Sequence, residues 1–129
     1  MNNIFELPDP QNWGCKIVHV TDGHSILSIE MLNLKTKQRL MLGFRKVAFF
    51  SGWTTWIGAN FTMKSDAELR KFAETKTKTL THELEVHIAE LNLYTCTPIN
   101  KTAFEIIANA GWCQDMAGNL MSSMPRLTT

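Results

Sequence analysis

The chain has 129 residues, of which 44% are hydrophobic and 19% are charged, and its formal net charge at pH 7 is +1. This composition excludes a disordered chain, and no apolar run reaches the roughly 20 residues that a membrane-spanning helix needs. We therefore expect residues 1–129 to form a single domain that buries its own core, with no membrane partner.

The cysteines are few and far apart. Cys15, Cys96 and Cys113 are odd in number and widely spaced, which does not suit a disulfide framework. Residues 1–10 lack the basic stretch and apolar run of a secretory signal. We predict three buried thiols in a protein of the cytoplasm, where thiols stay reduced.

The first half of the chain is rich in strand-forming residues. Residues 22–34 fit an amphipathic helix and a hairpin turning at Asp22-Gly23 about equally well, and both alternatives stay open. The flanking segments are β-branched or aromatic, which favours strands. We predict a twisted, mostly antiparallel sheet over residues 15–63, built from the segments 16–21, 39–50 and 53–63.

A helix start follows this region. Ser65 and Glu68 have the spacing of a capping box, in which each side chain satisfies an amide at the helix start. The apolar stripe after it predicts a helix over about 65–89, although threonines between residues 75 and 81 lower its helix propensity. The residues that we expect to be buried along this helix are Leu69, Phe72, Leu84 and Ile88.

The segment after this helix alternates and then reaches Pro98. Residues 91–97 (LNLYTCT) predict a strand that joins the sheet. Asn100 is a candidate N-cap for a helix over about 101–110, and Gly111 is a candidate left-handed residue at its end. Within this part we expect Phe104 and Ile107 to be buried and Trp112 to be partly buried. The predicted fold class is α+β, a mostly antiparallel sheet covered by helices.

Motifs for metal or nucleotide chemistry are weak. His82 and His87 stand five residues apart, whereas the helical zinc-protease motif needs histidines four apart on one face. The cysteines and histidines have no close Cys-x-x-Cys or His-x-x-x-His spacing, so we predict no metal site. The sequence also lacks a phosphate-binding glycine loop and a nucleophile elbow.

Charge is distributed unevenly along the chain. Residues 35–78 hold ten basic and three acidic residues, a net charge of +7, whereas the rest of the chain carries −6. Such a segment suits a polyanion if it folds into one continuous face, and otherwise it is a solvated surface. A partner protein or a polyanion at residues 35–78 is therefore the predicted binding partner.

The region from Ser65 to Trp112 follows the order capped helix, strand, short helix and Gly-Trp. Asn100, Ala103, Gly111 and Trp112 stand at the spacing of an Asn-x-x-Ala helix start and a Gly-aromatic end. This region resembles the C-terminal half of GNAT-type N-acetyltransferases. The resemblance implies acetyl-CoA as cofactor, and it implies that the residues near it are Lys64, Ser65, Arg70 and Asn100.

The chain also departs from that family. In that family the cofactor helix begins in a glycine-rich loop that holds the pyrophosphate of acetyl-CoA. In this chain the corresponding residues 62–66 contain no glycine and include Asp66. Ile107 stands where the family often has a proton-donating tyrosine. The general base stays unassigned, since Glu30, Glu83 and His87 are suggested only by their ability to titrate. The first 64 residues are short for the family, which implies a truncated version.

These departures favour a non-catalytic or degenerate GNAT-like protein for binding or assembly. The abbreviated layout resembles that of acetyltransferase-like internal virion proteins of short-tailed phages, which implies a phage or mobile-element origin and a place in the virion. The alternative is an acetyl-CoA-dependent N-acyltransferase acting on an amine. Fold alone does not decide between these functions.

Overall fold

The structure is a computed structural model that describes residues 4–21, 26–76, 88–99 and 101–125. These residues form ten strands, one α-helix and two short 3-10 turns at Pro10–Asn12 and Ile88–Glu90. In chain order the elements are β1 Trp13–Val20, β2 Leu27–Asn33, β3 Arg39–Arg45, β4 Phe49–Ser51, β5 Thr55–Ile57, β6 Phe61–Met63, α1 Asp66–Lys76, β7 Asn92–Cys96, β8 Phe104–Ala108, β9 Ala110–Asp115 and β10 Leu120–Pro125.

The strands form two sheets rather than the single sheet that the sequence predicts. The six-stranded sheet has the order β10-β9-β3-β2-β1-β5, and the four-stranded sheet has the order β4-β8-β7-β6. Every neighbouring pair is antiparallel, which confirms the predicted strand direction. The predicted strand over 91–97 is confirmed as β7, but it lies in the four-stranded sheet.

The two sheets share one core. In β2 every second side chain is buried, namely Leu27, Ile29, Met31 and Asn33, as expected for a strand with one face against a partner sheet. The ring of Phe44 meets Tyr94 from the opposite sheet, with 5.1 Å between centroids. Large side chains that interdigitate in this way supply the main driving force for holding the sheets together.

The β1–β2 pair resolves the open question about residues 22–34. Residues 27–33 are a strand, and Val20 pairs with Leu27 as expected for a hairpin. The turn itself, Asp22 to Ser25, lies outside the described residues. The hairpin alternative is therefore confirmed for the part that the structure describes.

Helix α1 adds a third layer on the outer face of the four-stranded sheet. Leu69 and Ala73 are buried against Leu93 and Ile107 from that sheet. Half of the predicted capping box is present: the Glu68 amide donates to Ser65 Oγ at 3.2 Å, but the Glu68 carboxylate accepts from the Ser65 hydroxyl instead of the Ser65 amide. The described helix ends at Lys76, and the predicted continuation through 77–87, with Leu84, lies outside the described residues.

The prediction places Phe72 and Ile88 among the buried residues of this helix. Phe72 is partly buried rather than buried, and its ring packs against Phe49 with 5.6 Å between centroids. Ile88 begins a 3-10 turn, not an α-helical segment, and its side chain is not among those described. The apolar stripe therefore predicted the helix correctly over 66–76 but overestimated the burial of Phe72.

The predicted helix over 101–110 is wrong, because residues Phe104–Ala108 form strand β8. Phe104 and Ile106 belong to the core between the sheets, whereas Ile107 faces α1. A strand covered on both faces is apolar at consecutive positions, so its pattern does not differ from that of a short buried helix. Phe104 and Ile107 are buried as predicted.

The predicted helix-capping roles of Gly111 and Asn100 are wrong, because the segment between them forms strand β8. Gly111 lies inside β9 opposite Phe44, and it is not among the described residues with positive φ. Asn100 lies outside the described residues, and the helix that it would cap is the strand β8. Trp112 is partly buried, as predicted.

Candidate functional site

The N-terminus of α1 is where the resemblance to acetyltransferases places the cofactor. Lys64 donates its amide to the carbonyl of Leu93 at 2.8 Å and so continues the β6–β7 ladder up to the helix. The Ser65 hydroxyl accepts from the Glu68 amide and lies 3.3 Å from the Glu68 carboxylate. Its capping oxygen is therefore already engaged within the chain, and a carboxylate stands beside it.

Arg70 does not join Lys64 and Ser65. A groove of about 470 Å³ runs along one flank of α1, and Lys64, Glu68 and Phe72 contribute to its lining. Arg70 is two residues from Glu68 and from Phe72, so it projects from the opposite side of the helix. The structure thus brings two of the four predicted cofactor residues together, separates Arg70 from them, and does not describe Asn100.

The candidate general bases give no catalytic arrangement at α1. Glu30 lies on the outer face of the six-stranded sheet, where its carboxylate forms a salt bridge with Arg39 at 3.6 Å. Both sheets separate Glu30 from α1, while Glu83 and His87 lie outside the described residues. Tyr94 is buried between the sheets, and this burial raises the pKa of its hydroxyl to about 12.

Among the described residues of the basic segment, the positive charges do not form one continuous face. Arg39 and Arg45 mark the two ends of β3, and six residue steps along a strand cover about 20 Å. The basic residues around α1 lie one layer further away, on the outer face of the other sheet. The described basic residues form three separate groups. They are Lys35, Lys37 and Arg39 at the β2–β3 turn, Arg45 and Lys46 at the other end of β3, and Lys64, Arg70, Lys71 and Lys76 around α1.

The three cysteines are buried and free. Burial raises the pKa of Cys96 to about 12 and that of Cys113 to about 11, and it raises the pKa of Cys15 further. A thiol held in its neutral form is a poor nucleophile and a poor metal ligand. In the part of the chain that the structure describes, no group of three or more His, Cys, Asp or Glu is placed to hold a metal ion.

One backbone carbonyl joins two of these cysteines. The Gly58 carbonyl accepts from Trp56 Nε1 at 2.8 Å and from Cys96 Sγ at 3.2 Å, and Cys15 Sγ lies 3.7 Å from the same oxygen. These donors come from both sheets. The arrangement ties the sheets together at the end of β5, which makes it a structural rather than a chemical site.

The outer face of the six-stranded sheet carries a groove that the sequence did not reveal. We call it the open-face groove; its volume is about 530 Å³, and it is lined in part by Gly14, Lys16, Leu32, Leu34, Ile57 and Ile99. Helix α1 covers the other sheet, and none of the described elements covers this face. The groove has the size of a typical ligand or side-chain pocket.

Its depth comes from Gly14. Across the strands Gly14 pairs with Ile57 on one side and with Leu32 on the other, so a position without a side chain lies between two aliphatic ones. A Cβ added at Gly14 would meet its nearest atom, Leu34 Cδ2, at 3.7 Å, which is ordinary van der Waals contact. A methyl group would therefore fit at Gly14 without displacing its neighbours.

One wall of the open-face groove is formed by the chain after β7. The amide of Ile99 donates to the carbonyl of Ile57 at 2.8 Å, and Lys101 Nζ donates to the carbonyl of Thr55 at 3.0 Å. The same ammonium lies 4.6 Å from the ring centroid of Trp53. These contacts fix the position of Lys101 beside an apolar floor.

A signal for this groove exists in the sequence of β2. On the outer face of this strand the side chains run Ser28, Glu30 and Leu32, and an exposed Leu34 follows the strand. Two apolar residues on an otherwise polar face indicate a contact surface once the strand period is known. The sequence left helix and hairpin open for residues 22–34, so the strand period needed to recognise this surface was not known.

Among the described residues, no helix combines the length and the apolar character that crossing a membrane requires. The chain matches no protein-family model, and neither curated proteins nor solved structures give a significant match.

Proposed function

We propose that this chain is a non-catalytic binding or assembly protein that docks a partner on the outer face of its six-stranded sheet. The observation that carries the proposal is the open-face groove, where Leu34, Ile57 and Ile99 are each exposed by more than two fifths of their surface. Exposed aliphatic side chains around a concave site are typical of interaction surfaces. Burying them against a partner removes apolar surface from water.

The GNAT-like kinship and the phage or mobile-element origin stay predictions from the resemblance of residues 65–112. The helix start offers a serine whose oxygen already caps the helix, and Asp66 stands in its first turn. A carboxylate there opposes a bound phosphate. This chemistry disfavours acetyl-CoA at the helix start.

An acetyl-CoA-dependent N-acyltransferase is the second hypothesis, and Lys64 and Lys71 beside the groove along α1 favour it. Isothermal titration with acetyl-CoA separates the two functions. We expect no heat of binding up to about 1 mM cofactor, which corresponds to less than about 4 kcal/mol of binding free energy. Micromolar binding that is lost in Lys64→Gln would establish the cofactor site and reject our proposal.

The docking face is tested by site-specific photo-crosslinking. When the protein carries a photoreactive phenylalanine analogue at Ile57 and is irradiated with its bound partner, it should form a covalent adduct with that partner of discrete higher mass, because Ile57 lies in the open-face groove. The same analogue at Met116, which is similarly exposed in the turn after β9, should give none. Equal labelling from both positions, or none from position 57, would remove the open face as the site.

A further inference from the structure

We propose that the open-face groove binds an acidic protein segment in which a carboxylate stands beside aliphatic side chains. This inference rests on the proposed function, and it names the partner of the same site. The occupant follows from three features of the groove: an aliphatic floor, an excess of positive charge at its rim, and an edge strand that is already covered.

The floor selects apolar side chains. Ile57 and Leu32 flank the open position above Gly14, and Ile99 extends the same surface beyond β5. These side chains are aliphatic and offer no hydrogen bond, so the groups that gain most from contact with them are also aliphatic. Gly14 carries no side chain, and a Cβ there would meet only ordinary contacts, so an aliphatic group of a partner can approach the floor closely at this point.

The rim selects a negative charge. Lys16, Lys101 and Glu30 all line the groove; Glu30 lies across from Lys16 in the β1–β2 register, and its carboxylate forms a salt bridge with Arg39. With Arg39 included, these groups carry three positive charges and one negative charge, so the rim has an excess of positive charge. Only one of the three N–H donors of Lys101 is used by the Thr55 carbonyl, which leaves donors for a carboxylate.

Lys101 also has contacts within the chain before a partner binds. Its ammonium donates to the Thr55 carbonyl and lies over the face of the Trp53 ring, two exposed contacts that favour this position. A lysine on a free surface loses side-chain entropy when it forms an ion pair, and that loss is smaller for a side chain that is already ordered. This arrangement makes Lys101 the stronger of the two candidate partners for the carboxylate.

The edge of the sheet directs binding to the face. An extended peptide often adds to a sheet through the free backbone groups of an edge strand. At β5 the carbonyls of Thr55 and Ile57 already accept from Lys101 and Ile99. Recognition at this place therefore depends on side chains that enter the groove, not on strand addition.

Nucleic acid fits this groove less well than an acidic protein segment. Unpaired bases stack on exposed aromatic rings. The exposed side chains of the groove floor are aliphatic, Trp56 in the same lining is only 2% exposed, and Trp53 beside the groove already faces Lys101. Binding of nucleic acid also requires several phosphate contacts, and the rim supplies two lysines. A carboxylate with aliphatic neighbours uses both the rim and the floor.

The test uses fluorescein-labelled random decapeptides made of leucine, isoleucine and glutamate, and a matched pool with glutamine in place of glutamate. By fluorescence polarisation the acidic pool should bind at least about tenfold more tightly, because charge-assisted hydrogen bonds exceed neutral ones. Lys101→Gln and Lys16→Gln should each weaken binding of the acidic pool by at least about threefold. Lys71→Gln, on α1, is the matched control and should leave it unchanged.

The outcomes distinguish the two proposals. Equal binding of both pools that is lost in Ile57→Asp overturns the acidic partner and leaves the docking face intact. Binding that survives Ile57→Asp places the site elsewhere and overturns both. No binding of either pool, or tighter binding of an oligothymidylate than of the acidic pool, overturns the acidic segment as occupant.

Discussion

Trp112 lies directly across from Gly43 in the β3–β9 pair, and its indole covers the glycine so closely that a Cβ at Gly43 would overlap the ring. On the opposite face of the sheet the next pair reverses the roles, since the Phe44 ring covers Gly111. Each glycine makes room for the aromatic side chain on the neighbouring strand. This reciprocal pairing fixes the register of β3 and β9.

Gly111→Ala should lower the free energy of unfolding by about 1–3 kcal/mol, the usual cost of overpacking a core. A Cβ at this position would lie 2.7 Å from Phe44 Cε1 and 3.1 Å from Phe5 Cζ, so two core rings must shift. Urea denaturation measures the change. Gly14→Ala is the control, and it should change stability by less than about 1 kcal/mol because its Cβ meets nothing closer than 3.7 Å. Equal losses in the two variants would contradict this account of β9.

Ser65→Ala should destabilise the protein by about 0.5–2 kcal/mol, because the Glu68 amide loses its capping oxygen. Ser65→Thr retains the hydroxyl and should stay close to the parent chain. Thermal unfolding followed by far-ultraviolet circular dichroism compares them. If alanine and threonine were equivalent at this position, the cap would not contribute to stability.

Phe104→Ala should cost about 3–5 kcal/mol, the range for truncating a buried aromatic side chain. Phe104 is fully buried, and its ring stacks on Trp56 across the two sheets with centroids 4.4 Å apart. Phe50 also neighbours Phe104 but is 38% exposed, so Phe50→Ala should cost clearly less. Chemical denaturation of both variants is the measurement, and a similar cost for the two would argue against a shared core between the sheets.

Stability should fall as pH rises above about 9. Burial raises the pKa of Cys96 from 9.0 to about 12 and that of Tyr94 from 10.0 to about 12, so the unfolded chain releases these protons at lower pH than the folded chain. Between the unfolded and folded pKa values, each group lowers the free energy of unfolding by about 1.4 kcal/mol per pH unit. Urea denaturation at a series of pH values tests this, and Cys96→Ala should show a shallower slope than the parent chain. Identical slopes would mean that Cys96 ionises freely in the folded state.

The thiols should be unreactive in the folded protein. All three cysteines are buried, and burial keeps their pKa values high, so little thiolate is present at neutral pH. Ellman's reagent should label none of them rapidly in native buffer and all three in guanidinium chloride. Rapid native labelling of even one thiol would contradict the buried positions of the cysteines.

The sequence by itself determined features that depend on neighbouring residues. The start of α1 at Ser65 follows from a hydrogen bond to an amide three residues away, and strand β7 follows from alternation within a few residues. The burial of the cysteines follows from their size and polarity. Each of these requires no knowledge of the rest of the chain.

Only the tertiary structure decided the features that depend on distant segments. Residues 104–108 are a strand because α1 covers one face and the six-stranded sheet covers the other, which makes their apolar pattern continuous. The glycine at position 111 is required because the Phe44 ring from a distant strand packs over it, not because a helix ends there. The open-face groove combines Gly14, Leu32, Ile57 and Lys101 from four separate segments, and such a surface exists only after the chain has folded, because long-range pairing alone brings those segments together.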